Sequence, residues 1–195
     1  LQKEKRCMIK DRQKKQEIGI VKKRDILEEE ANIVYLSIGS NLGNKKMNIE
    51  LTKYLIKSKF NKILSVSSNY ETLSWPNPEY PKFLNIIVKI KTTLNLKQLF
   101  IFIKNIEKKM GRKKKAKNLP RVCDIDIIDF DQKNLSMLVY NNKVIVPHPR
   151  MHIRNFVLFP LFELNSCWVH PKSRQKISVL INKLAEKDIR SIKII

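Results

Sequence analysis

The chain has 195 residues, 43% of them hydrophobic, with 40 Lys and Arg against 18 Asp and Glu for a formal net charge of +22. That length suits one domain with a real hydrophobic core. No apolar run reaches the roughly 18 residues that span a bilayer, and the first residues lack the apolar segment of a secretory signal, so the expectation is a cytoplasmic protein. The basicity would suit nucleic acid, but it accompanies a general richness in Lys, Asn and Ile and is weak support for such a role.

Residues 1–32 read as a charged leader ending in Glu28-Glu29-Glu30, a frayed helix or disorder, and residues 33–195 as the folded domain. Ile33–Ile38 is an almost wholly apolar strand, which suits a central position. It runs into Gly39-Ser40-Asn41-Leu42-Gly43-Asn44, where glycines and asparagines permit a tight, backbone-exposed turn. Such a turn could meet a flat ligand or simply lead into the helix predicted over 47–59. Strands are predicted over 63–71 and 83–92. Between them Pro76, Pro78 and Pro81 stiffen a loop that carries Trp75 and Tyr80. Asn85 is a polar amide in an apolar strand; buried, it must be paired, either structurally or with a ligand.

Asn95 can cap a helix through Met110, ended by Gly111 in the left-handed region. Leu96, Leu99, Phe100, Ile103, Ile106 and Met110 form its buried stripe, and Glu107 lies at the edge of that stripe. The next strand, 124–130, carries Asp124 and Asp126 at i and i+2, on one face. Two carboxylates that close repel unless a cation or a proton sits between them. Arg112, Lys113, Lys114, Lys115, Lys117 and Arg121 precede them. A carboxylate pair for Mg²⁺ beside cations for phosphate oxygens is what phosphoryl-type transfer needs; the plain alternative is two solvated aspartates at a strand end. Short strands over 137–140 and 143–146 follow, then a short helix over 156–163 and a last helix over 177–185. His148 and His152 have metal-like spacing only on a helix, which Pro149 opposes, so phosphate contact by His148 and Arg154 is the better reading than zinc. Cys7, Cys123 and Cys167 are an odd set without metal-ligand spacing, read as reduced thiols.

Taken together, YLSIGSNLG, SSNYET, FLN, IEKKMGRKK, PRVCDIDIIDF and VPHPRMHIRNFVLFPLFEL, in this order from Ile33 to about Leu184, resemble the 6-hydroxymethyl-7,8-dihydropterin pyrophosphokinase family. The resemblance implies an α+β ferredoxin-like sandwich, a mainly antiparallel sheet with helices packed on it. It implies transfer of the diphosphate of ATP to the pterin hydroxyl, releasing AMP, in folate biosynthesis. By similarity the catalytic group is Arg112, Arg121, Asp124 and Asp126, with the two aspartates holding two Mg²⁺ ions. ATP-binding positions fall on Glu107, Lys114, Arg121, Ile127, His148 and Arg154, and pterin-binding positions on Gly39, Thr72, Phe83, Asn85 and Phe156. The segment Lys113–Asn118 corresponds to a mobile lid. The implied partners are these small molecules, without nucleic acid or membrane, and the implied state is a monomer. Lys114 stands where the family often has a second Arg, which turns a bidentate phosphate grip into a point contact. An RNA-binding module of similar fold would need an aromatic-studded strand that this sequence lacks. An inactive paralogue would be marked by loss of Asp124, Asp126, Arg121 or His148, and all four are present.

Overall fold

The computed structural model of the chain describes residues 31–60, 63–75, 77–112 and 119–195. Most of the expected leader, Lys114 and the segment Lys113–Asn118 lie outside them. The apolar run after Asn32 becomes β1 (Asn32–Ser40), antiparallel to β4 (Phe83–Thr92) on one side and to β5 (Asp124–Phe130) on the other. The strand predicted over 63–71 divides into β2 (Ile63–Val66) and β3 (Tyr70–Thr72), both antiparallel to β4. Ser67 marks the break. Its N–H donates to Ile87 O, and its Oγ accepts from Ile87 N–H, both at 2.9 Å, so a side chain replaces one ladder bond and the strand bends away. With α1 (Lys45–Phe60) after β1 and α2 (Leu96–Lys109) after β4, the order β1-α1-β2/β3-β4-α2-β5 is the βαββαβ ferredoxin-like sandwich.

Alternation along the strands gives the sheet two different faces. Val34, Leu36 and Ile38 of β1, Leu84, Ile86 and Val88 of β4, and Ile125 of β5 pack against the apolar stripes of α1 and α2. Tyr35, Ile87 and Ile128 point the other way, toward α3 (Asn155–Leu164) and α4 (Ile177–Asn182). Each buried aliphatic or aromatic side chain contributes roughly 1.5–3 kcal/mol, which holds helices on both faces. The α3 face is covered at one end only; at the other end, where β1 leads into the turn after Ser40, it carries polar residues.

Asn95 caps α2 as its sequence predicts. Its Oδ1 accepts from Gln98 N–H, and Gln98 Oε1 accepts from Asn95 N–H, both at 2.9 Å, while Gly111 has φ +83 at the far end. A hairpin of β6 (Leu135–Val139) and β7 (Asn142–Val146) follows β5. The helix expected over 177–185 stops at Asn182, and the chain continues into α5 (Glu186–Arg190) and β8 (Lys193–Ile194), which pairs with β3. Trp168 Nε1 donates to Asp129 Oδ2 at 2.7 Å and ties this C-terminal region to β5. Cys123 is a buried free thiol, pushed up by burial to a pKa of about 11. Cys167 is disulfide-bonded, which corrects the reading of that cysteine as a reduced thiol, whereas Cys123 is free as expected and Cys7 lies outside the described residues; spacing along the chain says little about which thiols a fold brings together. Among the described residues no helix is long and apolar enough to cross a membrane.

Candidate active site

One rung of the sheet organises the polar end. Gly39 of β1 pairs with Asn85 of β4 and with Asp124 of β5, and the next rung on the same face pairs Ser37 with Ile87 and Asp126. Partners in register share a face, so the carboxylate pair and the amide flank the glycine.

Long basic side chains converge on the carboxylates. Arg112 Nη1 donates to Asp124 Oδ1 at 2.7 Å and Arg121 Nη1 to Asp124 Oδ2 at 3.0 Å. Arg154 Nη1 donates to Asp126 Oδ2 at 3.0 Å, and His148 Nε2 lies 3.8 Å from the same oxygen. Burial pushes the Asp126 carboxyl up, but His148, Arg154 and Lys104 outweigh it and hold the group below the usual aspartate value. Burial lowers His148, Arg154 and Arg150 lower it further, and Asp126 only partly opposes them, so the imidazole sheds its proton more readily than a free one. For Arg112, burial favours the neutral form, but Asp124 and Glu107 overcome it and raise its pKa.

Glu107 differs from its expected place at the edge of the α2 stripe: it is 3% exposed. Its Oε1 accepts Ile125 N–H at 2.8 Å and its Oε2 accepts Lys104 Nζ at 2.8 Å, while Arg112 Nη1 also donates to Oε1. Burial raises its pKa against these cations. β5 is an edge of the main sheet, so Ile125 would otherwise offer a lone backbone donor. Glu107 therefore braces the edge strand and steers Arg112 toward Asp124.

The amide end is built from short, buried groups. Asn85 Nδ2 donates to Thr72 Oγ1 at 3.0 Å. A Cβ on Gly39 would lie 2.8 Å from Asn85 Oδ1 and 3.3 Å from Phe83, so glycine alone lets the amide and the ring lie over β1. Among the described residues Asn85 Oδ1 accepts no hydrogen bond, which leaves an acceptor to offer. Phe156 lies beside the charged end, with its ring 5.4 Å from the Arg154 guanidinium.

The structure thus brings together Gly39, Thr72, Phe83, Asn85, Arg112, Arg121, Asp124, Asp126, His148, Arg154 and Phe156. Ile127 packs with the cluster under α2 and lines a cavity of about 270 Å³ with Phe100, Ile103, Asp126, His148 and Arg150. Lys114 lies outside the described residues. Sequence reasoning missed Asn41, whose Nδ2 donates to Ser74 Oγ and Pro81 O, each at 3.1 Å, and whose Oδ1 accepts Arg121 N–H at 2.7 Å. The asparagine stood in the glycine-rich turn, the only signal it gave. Lys104, by contrast, is the helix-surface partner that its spacing from Glu107 offers, and the two pair at 2.8 Å.

No group of three or more His, Cys, Asp or Glu able to hold a metal ion occurs among the described residues. Asp124 and Asp126 are instead two partly exposed carboxylates, their side chains 28% and 32% exposed. Hard oxygen donors in that number fit Mg²⁺, which takes one or two carboxylates and completes its shell with water and substrate phosphates rather than a protein cage.

Residues 35–166 match the model of the 7,8-dihydro-6-hydroxymethylpterin-pyrophosphokinase family. A 2-amino-4-hydroxy-6-hydroxymethyldihydropteridine pyrophosphokinase of Aquifex aeolicus is 34% identical over 150 residues, covering 74% of this chain and 87% of the relative. The folic acid synthesis protein fol1 of Pneumocystis carinii is 33% identical over 172 residues, 88% of this chain; the chain spans about a fifth of that relative, 22% of its length. The crystal structure of wild-type Plasmodium falciparum HPPK-DHPS with pterin and p-hydroxybenzoate superposes with a TM-score of 0.64 at 19% identity, covering 80% of this chain and 44% of that one. At that identity the likeness supports the fold.

Proposed function

This chain belongs to the 7,8-dihydro-6-hydroxymethylpterin-pyrophosphokinase family, and we propose that it transfers the diphosphate of ATP to the hydroxyl of 6-hydroxymethyl-7,8-dihydropterin in folate biosynthesis. The observation that carries this reading is the shared rung: Asp124, with Asp126 beside it, on one side of Gly39 and Asn85 on the other. Phosphate chemistry and recognition of a flat amide-bearing ring thus sit on the two strands that flank β1. The pterin hydroxyl oxygen forms a bond to the β-phosphorus, the bond from that phosphorus to the oxygen shared with the α-phosphate breaks, AMP leaves with that oxygen, and the hydroxyl proton is released. Asp124 and Asp126 would hold two Mg²⁺ ions, whose charge neutralises the triphosphate.

The chain's own residues position and stabilise. Arg112, Arg121, Arg154 and His148 already converge on the carboxylates, so they are poised to exchange a carboxylate oxygen for a phosphate oxygen with little movement, and charge-assisted bonds to phosphate are strong. Asn85 and the Gly39 backbone offer a donor and acceptor edge to the pterin, with Phe83 and Phe156 for its faces. Positioning and charge stabilisation account for most of the rate in such transfers. Lys114 and a closing lid over Lys113–Asn118 belong to this reading through sequence similarity. So do the monomeric state, the cytoplasmic setting and the restriction to small-molecule partners.

The test is AMP formation from ATP and Mg²⁺ by folded protein, with and without 6-hydroxymethyl-7,8-dihydropterin. AMP and pterin diphosphate should appear in equal amounts and only together. Absence of pterin-dependent AMP would overturn the proposal, and salt-dependent RNA binding by the same preparation would then favour the basic surface as the functional feature.

A further inference from the structure

The loop between β3 and β4 leaves the amide end at Thr72 and returns at Phe83. Its root is pinned: Ser74 Oγ donates to Pro81 O at 2.6 Å, and Asn41 binds both residues. Just past this root Trp75 stands 66% exposed, an unusual place for an indole, and the Arg150 guanidinium lies 5.6 Å from its ring centroid. Arg150 belongs to the opposite side of the cleft. It lines the cavity beside Asp126 and His148, and its N–H donates to His148 Nδ1 at 3.2 Å. A continuous set of contacts therefore runs from Asp126 through His148, Arg150 and Trp75 to the root of the loop at Ser74.

We propose that Trp75 is a positioning residue: stacked on Arg150, it straps the pterin-side loop to the phosphate-side loop, so that a nucleotide loaded against Arg150 tightens the pterin pocket. Neither residue touches the reacting atoms. The phosphate end holds His148 and Arg150 at one point, a bound triphosphate adds further ties there, and the strap passes that restraint to the Trp75 side of a loop whose return at Lys82 is held separately by Glu71 and Lys45. An exposed cation–π pair is modest, which suits a contact that must open for each turnover. The inference rests on the proposed transfer reaction, and its test has an arm that needs no turnover.

In steady-state assays, Trp75→Ala and Arg150→Ala should each raise the pterin KM by about two- to fivefold, the range of an exposed cation–π contact. The double variant should be no worse than the poorer single one, kcat should hold in Trp75→Ala, and Trp75→Phe should recover most of the loss. The second arm reads tryptophan emission. The chain has two tryptophans, and Trp168 is buried at 1% exposure, so a response at the cleft comes from Trp75. Saturating Mg²⁺ and a non-hydrolysable ATP analogue, with occupancy checked by calorimetry, should change the emission of the parent but not of Trp75→Phe or Arg150→Ala. Additive KM effects, a silent parent, or a response that survives in Arg150→Ala would each overturn the strap. If emission responds as described but no pterin-dependent AMP forms, the transfer reading fails and the strap stands as a nucleotide-sensing contact; AMP formation with silent emission removes the strap alone.

Discussion

The charged end and the amide end of the cleft are both lined with polar groups, and they are built in opposite ways. At the charged end the carboxylates are partly exposed and each is already gripped by long basic side chains. Those side chains can swing to a new anion while still paired, so this end can reorganise around phosphate. The amide end consists of Gly39, Thr72 and Asn85 on adjacent strands, with Asn85 and Thr72 nearly buried. Short side chains set by strand register have nowhere else to go, so this end is a mould. Affinity for a highly charged, flexible group and selectivity for a rigid ring call for these two kinds of construction, and the fold places them one strand apart.

The sharpest break in the comparison comes from removing a charge. Asp126→Ala should lower kcat at least about a thousandfold, because a metal-binding carboxylate supports several kcal/mol of transition-state stabilisation. Thermal stability should change little, since the released Arg154 reaches solvent. Pterin-dependent AMP formation and a melting curve check both halves. If activity survives, Asp126 is not part of the metal site. The mould should fail differently. Gly39→Ala forces a Cβ to within 2.8 Å of Asn85 Oδ1, and overpacking of about 1–3 kcal/mol corresponds to roughly a five- to 150-fold rise in pterin KM. The KM for ATP should hold. A parallel loss of ATP affinity would show that the two ends are not separately built.

A smaller effect probes the join between them. Arg112 donates to both Glu107 and Asp124 from one guanidinium nitrogen, a point that the shorter lysine side chain does not reach with its ammonium. Arg112→Lys should reduce kcat by about tenfold, in the range of one lost charge-assisted bond, with pterin KM unchanged. An unaltered kcat would assign Arg112 to bracing β5 alone.

The charged end was more legible in the sequence than the mould. Asp124 and Asp126 announce themselves because strand alternation is local and puts both on one face, and the cations lie close by in sequence. β1, β4 and α2 were likewise readable from apolar periodicity, Asn95 and Gly111. What local pattern could not show is who lies across the sheet. Glu107 reads as a helix-edge residue until β5 is known to present Ile125 N–H to it. Asn41 reads as a turn residue until Arg121 and Ser74 arrive from distant segments. The break at Ser67 of the strand predicted over 63–71 depends on a hydroxyl bonding Ile87, and β8 is a two-residue strand that needs β3 to exist at all. Each miss is a long-range polar contact, the part of a fold that hydrophobic periodicity does not encode.

The smallest effect on the reaction should come from Asp129, on the same strand as the carboxylate pair but at its far end, against Trp168. It is buried, accepts from Trp168 Nε1, and also bonds Gln132. Truncation to Ala leaves the indole N–H without a partner in the interior, which costs about 1–3 kcal/mol, readable as a shift in the urea midpoint at unchanged slope. Turnover of the folded fraction should persist. Burial raises this carboxyl above the ordinary aspartate value of 3.8, with the Trp168 and Gln132 bonds only partly opposing it. The folded state therefore holds the proton to higher pH than the unfolded chain does. The stability that follows is fully present below 3.8 and is lost as pH rises through the raised value. Asn cannot titrate, so the stability of the parent minus that of Asp129→Asn should be greatest in acid and shrink as pH rises. A difference that grew with pH would mean that the bonds from Trp168 and Gln132 outweigh burial. Asp129 would then be a carboxylate held ionised by its partners, as Asp126 is, rather than one set apart from the charged end.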